Sequence, residues 1–310
     1  MKISVVMATY NGEQYIVQQL DTIRNQTRKI DELIICDDRS SDQTVSIVKD
    51  YIYRYGLTDS WSICVNEENL GYANNFHKAT LLANGELIFF SDQDDLWRED
   101  KIEIMTGIME EHEDCQVLSS DYLPYYDGME ESTAAKKALK KMPDNGKLEK
   151  VNLSKKSIYI GALGCCMCVR REFYHNINQY WFDNWAQDDR MWRLSQCADG
   201  CYILHSRLIK HRIHANNTST YGKYHTSERR LKLFHAMQNA NEVMYKMLQD
   251  NSANKKLISI IRKHILMMGH RIEMLTKRKV LKVLPLVFYL PYYQEVKSYL
   301  VEIYMIIRKK

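Results

Sequence analysis

No run of about 20 apolar residues occurs anywhere in the 310-residue chain, so a membrane-spanning helix is excluded. The longest uncharged stretch of its C-terminal tail, VLPLVFYLPYYQ at Val283–Gln294, is 12 residues long and carries two prolines. The opening MKISVVMATYNG is apolar for too few residues to act as a secretory leader, and a cytosolic location is expected. Eight cysteines are present, but the paired C-x2-C spacing of a zinc site is missing. Cys36 sits inside an apolar run, and Cys165, Cys166 and Cys168 alternate with Gly and Met as in a strand. They read as small buried hydrophobes of a reducing compartment. Internal repeats are absent too.

What remains is ordinary globular composition, 45% hydrophobic and 26% charged. That length fits one large domain plus an appendage, with a core large enough to need no disulfides. Charge is unevenly spread. Residues 262–310 hold 11 Lys or Arg against 3 Asp or Glu, a net of +8, which leaves −4 for the rest of a chain whose total is +4. A basic tail on a mildly acidic body suggests contact with an anionic surface. Lys277, Arg278, Lys279 and Lys282, with Phe288, Tyr289, Tyr292 and Tyr293, are the expected contacts with a bilayer surface. A helical packing module or a homodimer contact is the alternative.

Apolar runs and helical spacings alternate along the first 112 residues. ISVVMAT, ELIICDD, WSICVN and ELIFF read as buried strands. EQYIVQQLDTIRNQ, SDQTVSIVKDYIYRY, NNFHKATLLAN and REDKIEIMTGIMEEH read as the helices between and after them. This alternation predicts an α/β fold with a mostly parallel sheet and helices on both faces. The stretch YYDGMEESTAAKKALKKMPDNGKLEK is polar and loop-like. IYIGALGCCMCVRREF resumes strand character, AQDDRMWRLSQC starts a helix, CYILHSRLIKHRIH reads as strands, and helical spacing dominates from about residue 224. In open parallel sheets, ligands bind outside the carboxyl ends of strands. ATYNG, CDDRSSD and SDQDD would therefore share one rim.

That rim is rich in chemistry. In FFSDQDDLW, Asp92 and Asp94 crowd two carboxylates at a strand end, a pattern that a Mg²⁺ or Mn²⁺ ion bridging to phosphate would relieve. A solvated acidic turn is the alternative. Thr9, Tyr10 and Asn11 join the first strand to the first helix, where a ring can stack on a base beside helix N-terminal amides. An ordinary turn capped by Asn is equally consistent with them. Asp38 can accept a hydrogen bond from a base imide or cap the next helix. Asp188 and Asp189 precede Met191 and Trp192, which suits a general base or a helix N-terminal charge. His211 and His214 can ligate metal, pair with phosphate or simply pack.

Seven stretches in one order resemble the family 2 glycosyltransferases: MATYNGEQYIVQQLDTIRNQT, IICDDRSSDQT, NLGYANNFHKA, GELIFFSDQDDLW, GALGCCMCVRREF, AQDDRMW and HRIHANNTS. Their style is similar to the bacterial rhamnosyltransferases of surface polysaccharide synthesis. The resemblance implies a Rossmann-like GT-A fold in residues 1–220 and a C-terminal helical region in 221–310. It implies an inverting transfer of rhamnose or a hexose to a saccharide or lipid-linked acceptor, at or near the inner face of the cell membrane. The donor would be a dTDP- or UDP-linked sugar. Thr9, Tyr10, Asn11, Asp38, Asn75 and Asp92 would bind it. Asp94, Asp92 and His214 would hold Mn²⁺ or Mg²⁺. Asp188 would be the catalytic base, although Gln187 stands where the family commonly has Glu or His, which leaves Asp189 as a rival. No nucleic-acid partner is implied. A sugar-phosphate nucleotidyltransferase is disfavoured because no glycine-rich basic loop follows the first strand. A non-catalytic nucleotide-sugar binding module is the remaining alternative.

Overall fold

The computed structural model describes residues 1–128, 139, 143–214, 226–277 and 280–307. Arg278 and Lys279 lie outside these, as does half of the polar stretch that begins at Tyr125. Strands β1 (Ile3–Thr9), β2 (Glu32–Asp37), β3 (Trp61–Val65) and β4 (Leu87–Ser91) are parallel, in the order β3-β2-β1-β4. Strands covered on both faces carry no polar alternation, which is why β1, β2 and β4 read as unbroken apolar runs. Helix α1 (Ile16–Arg24) buries Ile16, Gln19, Leu20 and Ile23, and α2 (Thr44–Arg54) buries Thr44, Val48, Tyr51 and Ile52. Spacings of three, four and seven are those of a helix laid on a sheet. Helix α3 (Tyr72–Leu82) leads into β4. The carboxyl ends of β1, β2 and β4 thus lie side by side on one edge.

The sheet continues β4-β8-β6-β9-β5. Its later elements, in chain order, are β5 (Leu96–Trp97), α4 (Lys101–Glu111), β6 (Val117–Tyr126), β7 (Lys147–Lys150), β8 (Met167–Arg170), α5 (Arg171–Asn176), α6 (Gln187–Cys197) and β9 (Cys201–Ile213). β8 is antiparallel to β4 and β6, while β9 runs parallel to β6. Two expectations change here. Of IYIGALGCCMCVRREF, only Met167–Arg170 is strand, and Gly164–Cys166 form a 3-10 turn. The turn brings Gly164 against the start of α6: a Cβ there would lie 2.8 Å from Gln187 Nε2 and 3.3 Å from Asp188 Cβ. Second, Tyr125, Tyr126 and Lys147–Lys150, read as loop, end β6 and form β7. All eight cysteines are free, and Cys36 and Cys64, opposed across β2 and β3, bring their sulfurs within 3.1 Å.

Contacts divide the chain into two units, 1–151 with 162–216 and 152–161 with 217–310. The second holds α7 (Ser227–Asp250), α8 (Lys255–Lys277), a 3-10 segment Val280–Tyr292 and α9 (Val296–Ile307). Thr226 caps α7 by accepting from the Arg229 amide at 3.3 Å. Pro285 and Pro291 each remove an amide donor, so the segment between α8 and α9 cannot continue as α-helix. Its core joins Phe234, Met267, Met268, Met274, Leu286 and Tyr293. Tyr292 and Tyr293, expected at a bilayer surface, are buried at 5% and 1% exposure.

Candidate active site

The turn after β1 is held from both sides. Thr9 is buried, and its hydroxyl donates to Asp37 Oδ2 at 2.8 Å; Asp37 also accepts from the Ser40 amide and hydroxyl. Tyr10 keeps its ring open to solvent, while Gln93 grips its peptide, accepting from the amide and donating to the carbonyl at 3.0 Å each. Gly12 leaves room for that grip: a Cβ there would sit 2.3 Å from Gln93 Oε1 and push the Gln93 side chain aside. Asn11 adopts φ +50, a conformation Asn tolerates, and its Oδ1 accepts from the Ser41 amide at 2.8 Å. Of the three turn residues, Thr9 is enclosed, while Tyr10 and Asn11 are exposed and Tyr10 alone offers a ring.

Asp38, at the end of β2, is 3% exposed. Its carboxylate accepts from the Leu70 amide (2.7 Å), the Gly71 amide (2.8 Å) and Asn66 Nδ2 (2.9 Å). Asn75 stands one step behind: its Oδ1 accepts from Asn66 at 2.8 Å and its Nδ2 donates to the Cys36 carbonyl at 2.7 Å. Lys78 donates to Asn66 Oδ1 at 2.8 Å. The network fixes the 66–71 loop beside the β2 end.

Past β4, the acids converge. Asp95 is fully buried and accepts from His211 Nδ1 at 2.9 Å and from the Arg212 amide at 3.0 Å. Burial pulls the His211 imidazole down, but the adjacent Asp95 outweighs it and leaves it raised to about 9. Asp94 is 9% exposed and faces His214, Oδ2 to Nε2 at 2.8 Å. Burial, then the charge of Asp95, raises the Asp94 carboxyl, with His214 as a partial offset. Asp92 is pushed to about 8 by burial and by Asp95 and Asp94, and Asp188 also acts on it. Asp188, on the first turn of α6, is raised to about 6 by burial and then by Asp189. The four acids belong to one electrostatic cluster, drawn from β4–β5 and α6.

Asp188 and Asp189 are adjacent yet differently engaged. Asp189 accepts from Arg193 Nε through both oxygens at 2.7 and 2.8 Å, and from Trp185 Nε1 at 2.9 Å. Asp188 Oδ1 accepts only the Asp189 amide, at 2.8 Å, and forms no ion pair among the described residues. A carboxylate already bound to a guanidinium and an indole is a poor proton acceptor. Its neighbour, dried and lightly held, is a good one.

Raised carboxyls mean negative charge that the protein itself leaves uncompensated, and Asp95 Oδ2 is buried without a hydrogen-bond partner. The donor set of Asp92, Asp94 and His214 suits a hard divalent cation. Asp95, Cys165 and His211 also bring ligand atoms within 4.8 Å of one another. Cys166 and then burial hold the Cys165 thiol protonated, and Asp95 Oδ1 and His211 Nδ1 are already paired with each other. That trio reads as internal support beneath the acids.

Arg212 escapes sequence reading. Its Nε donates to the Asp94 carbonyl at 2.7 Å, Nη1 to Asp127 at 2.7 Å and Nη2 to Gln18 at 2.6 Å, between the rings of Tyr15 and Tyr125. The one signal was strand period: in HRIH, alternation sets Arg212 apart from His211 at the end of β9, with His214 just beyond the strand. Gln93 was hidden for a similar reason, as the unremarkable x of D-x-D.

Residues 4–177 match Glycosyl transferase family 2, more than half of the chain. The dTDP-rhamnosyl transferase RfbG of Shigella flexneri is 36% identical over 124 residues, 39% of this chain and 42% of that protein. The chain thus spans less than half the length of the first curated relatives it matches. Among solved structures, S. aureus TarS 1–349 in complex with UDP aligns with TM-score 0.61 at 17% identity, covering 100% of this chain and 92% of that one. The mannosyltransferase PcManGT from Pyrobaculum calidifontis, in complex with GDP-Man and Mn²⁺, aligns with TM-score 0.53 at 14% identity, covering 100% and 88%. The last two likenesses concern the fold, which is that of GT-A glycosyltransferases.

Proposed function

Because the chain belongs to glycosyl transferase family 2, we propose that it moves a sugar from a nucleotide-diphosphate donor to a hydroxyl acceptor with inversion, in bacterial surface polysaccharide synthesis. The observation that carries this reading is the pairing of a lightly held, desolvated Asp188 with the acid cluster at the β4 end. Asp188 takes the proton of the acceptor hydroxyl as that oxygen attacks the anomeric carbon, through a transition state of oxocarbenium character. Asp189 stays bound to Arg193 and Trp185 and fixes the start of α6.

Tyr10 offers its open ring to the donor base, while Thr9, through Asp37, and Asn11, through Ser41, shape the turn that carries it. Asp38 keeps one lone pair on Oδ2 for the base and spends the rest on the 66–71 loop. Asn75 acts through Asn66 on the same loop. Asp94, Asp92 and His214 would hold Mn²⁺ or Mg²⁺, with Arg212 fixing the Asp94 backbone. When bound, such an ion neutralises charge that builds on the departing diphosphate. The name of RfbG supports dTDP-rhamnose as the first donor to try, with UDP-hexoses next. A saccharide, free or lipid-linked, is the proposed acceptor.

A thermal-shift screen of nucleotide sugars with Mn²⁺ tests the reading. One donor is expected to raise the melting temperature by mass action, and Asp94→Ala to lose the Mn²⁺-dependent part of that rise. Normal, metal-independent transfer by Asp94→Ala would remove the metal assignment. Silence across all nucleotide sugars would remove the donor class.

A further inference from the structure

The outward side of the helical unit is apolar where a water-facing helix should be charged. On α9, Val296, Leu300 and Tyr304 recur at four-residue spacing and are 54%, 60% and 50% exposed. On the neighbouring 3-10 segment, Leu284 and Val287, three residues apart as that helix type repeats, are 62% and 46% exposed, and Phe288 beside them is 85% exposed. Tyr299 joins the two elements by donating to the Val283 carbonyl at 3.5 Å. A solvated surface places single apolar residues at random; a row of six on adjoining elements marks an interaction site.

The charges near this row have one sign to spare. Of the three acids in 262–310, Glu302 is fully buried against Arg271 and Arg230, Glu273 pairs with Lys277 at 2.5 Å, and Glu295 pairs with Lys297 at 2.6 Å. In sequence, the row is preceded by KRKVLK and followed by RKK. No helix among the described residues is long and apolar enough to cross a membrane.

We propose that this row docks the protein on the surface of an anionic lipid bilayer, with Phe288 and Leu300 entering the headgroup–acyl boundary and the net positive charge of residues 262–310 favouring negatively charged headgroups. Apolar insertion backed by basic residues is the chemistry of a surface-lying segment, and the charge excess selects negatively charged lipid over a second, equally basic copy of this chain. It differs from the outline expected from sequence, because Tyr292 and Tyr293 turn inward and α9 supplies half the row. The inference does not depend on the proposed donor or metal.

Full-length protein is floated with vesicles of phosphatidylcholine containing 30% phosphatidylglycerol, and with phosphatidylcholine alone, at low and high salt. Preferential flotation with the anionic vesicles, weakened by salt, is expected. The double variant Phe288→Ser, Leu300→Ser removes only exposed rings and methyls, so the melting temperature should hold while bound fraction falls about tenfold or more. Equal flotation with both vesicle types, or unchanged binding by the variant, would overturn the proposal. So would a dimer in sedimentation equilibrium that the double variant breaks, together with no vesicle binding. Donor-induced thermal shifts in the same variant report separately on the transferase reading.

Discussion

Two clusters of buried charge are arranged in opposite ways. In the helical unit, Glu302 is fully buried and enclosed: Arg271 donates to both its oxygens, Arg230 approaches at 3.4 Å and Tyr293 donates at 3.1 Å. Arg271 also lies 3.9 Å from the centre of the Phe234 ring; burial works against its charge, but Glu302 outweighs that and holds the Arg271 guanidinium above its ordinary range. Cations outnumber the anion, and every partner is internal. At the strand rim, carboxylates outnumber their histidine partners, and the Asp92, Asp94 and Asp188 carboxyls are all raised. A closed ion cluster serves architecture. An open one stores repulsion that a proton or a ligand relieves, which is where perturbed groups gather in functional sites. Burial alone therefore does not mark a site; the sign of the leftover charge does.

The comparison is broken most forcefully at Asp188. Asp188→Asn should lower transfer by about 10²–10⁴-fold, the usual contribution of a general base, and leave donor binding and melting temperature in place. Asp189→Asn is its control. It removes the negative charge and one of the two oxygens that accept from Arg193 and Trp185, and should cost stability of about 1.5–3 kcal/mol, with turnover far less affected. Steady-state kinetics and denaturant melts on the two variants separate the roles. If Asp189→Asn kills turnover without loss of stability, the base lies one residue later than proposed.

Much of this rim was legible in sequence because its strands are covered on both faces. Continuous apolar runs ending in Asp37–Asp38 and Asp92–Asp95 locate the strand ends without knowledge of tertiary contacts. β6 was not legible: VLSSDYLPYY carries Ser119, Ser120, Asp121 and Pro124, and only its pairing with β9 makes it a strand. Pro124 is tolerated because β8 pairs only with Val117–Ser119, leaving one side of β6 free beyond that point. Arg212 was hidden because its meaning lies in Gln18, Asp94 and Asp127, which are far apart in sequence. The inward turn of Tyr292 and Tyr293 was missed because two prolines replace the 3.6-residue period with a three-residue one. Family likeness located the candidate acids without separating Asp188 from Asp189; the proposal for Asp188 rests on their different hydrogen-bond partners.

Glu302→Ala attacks the other cluster. It leaves Arg271 and Arg230 buried without their anion, and a loss of about 3–5 kcal/mol in unfolding free energy is expected. Donor affinity per folded molecule should not change. Urea melts with a parallel donor titration measure both. A Glu302→Ala protein of full stability would mean that the helical cluster is no more than a surface-like pair of charges, and the contrast with the rim would lose one side.

The pH dependence gives the smallest effect and the finest test. Asp188 accepts a proton only as a carboxylate, and burial followed by Asp189 raises its carboxyl to about 6. Below that value kcat/KM should fall about tenfold per pH unit, whereas an ordinary Asp near 3.9 would hold the rate two units further. The effect on stability runs the other way. A carboxyl raised by folding favours the protonated form in the folded state, so its contribution is complete below about pH 3.9 and is lost as pH rises through about 6. Chemistry is thus enabled in the range where this group weakens the fold, as expected of an open cluster. An acid limb near pH 4, or one unchanged by Asp188→Asn in the residual rate, would assign the limb to another group and return Asp188 to a structural role.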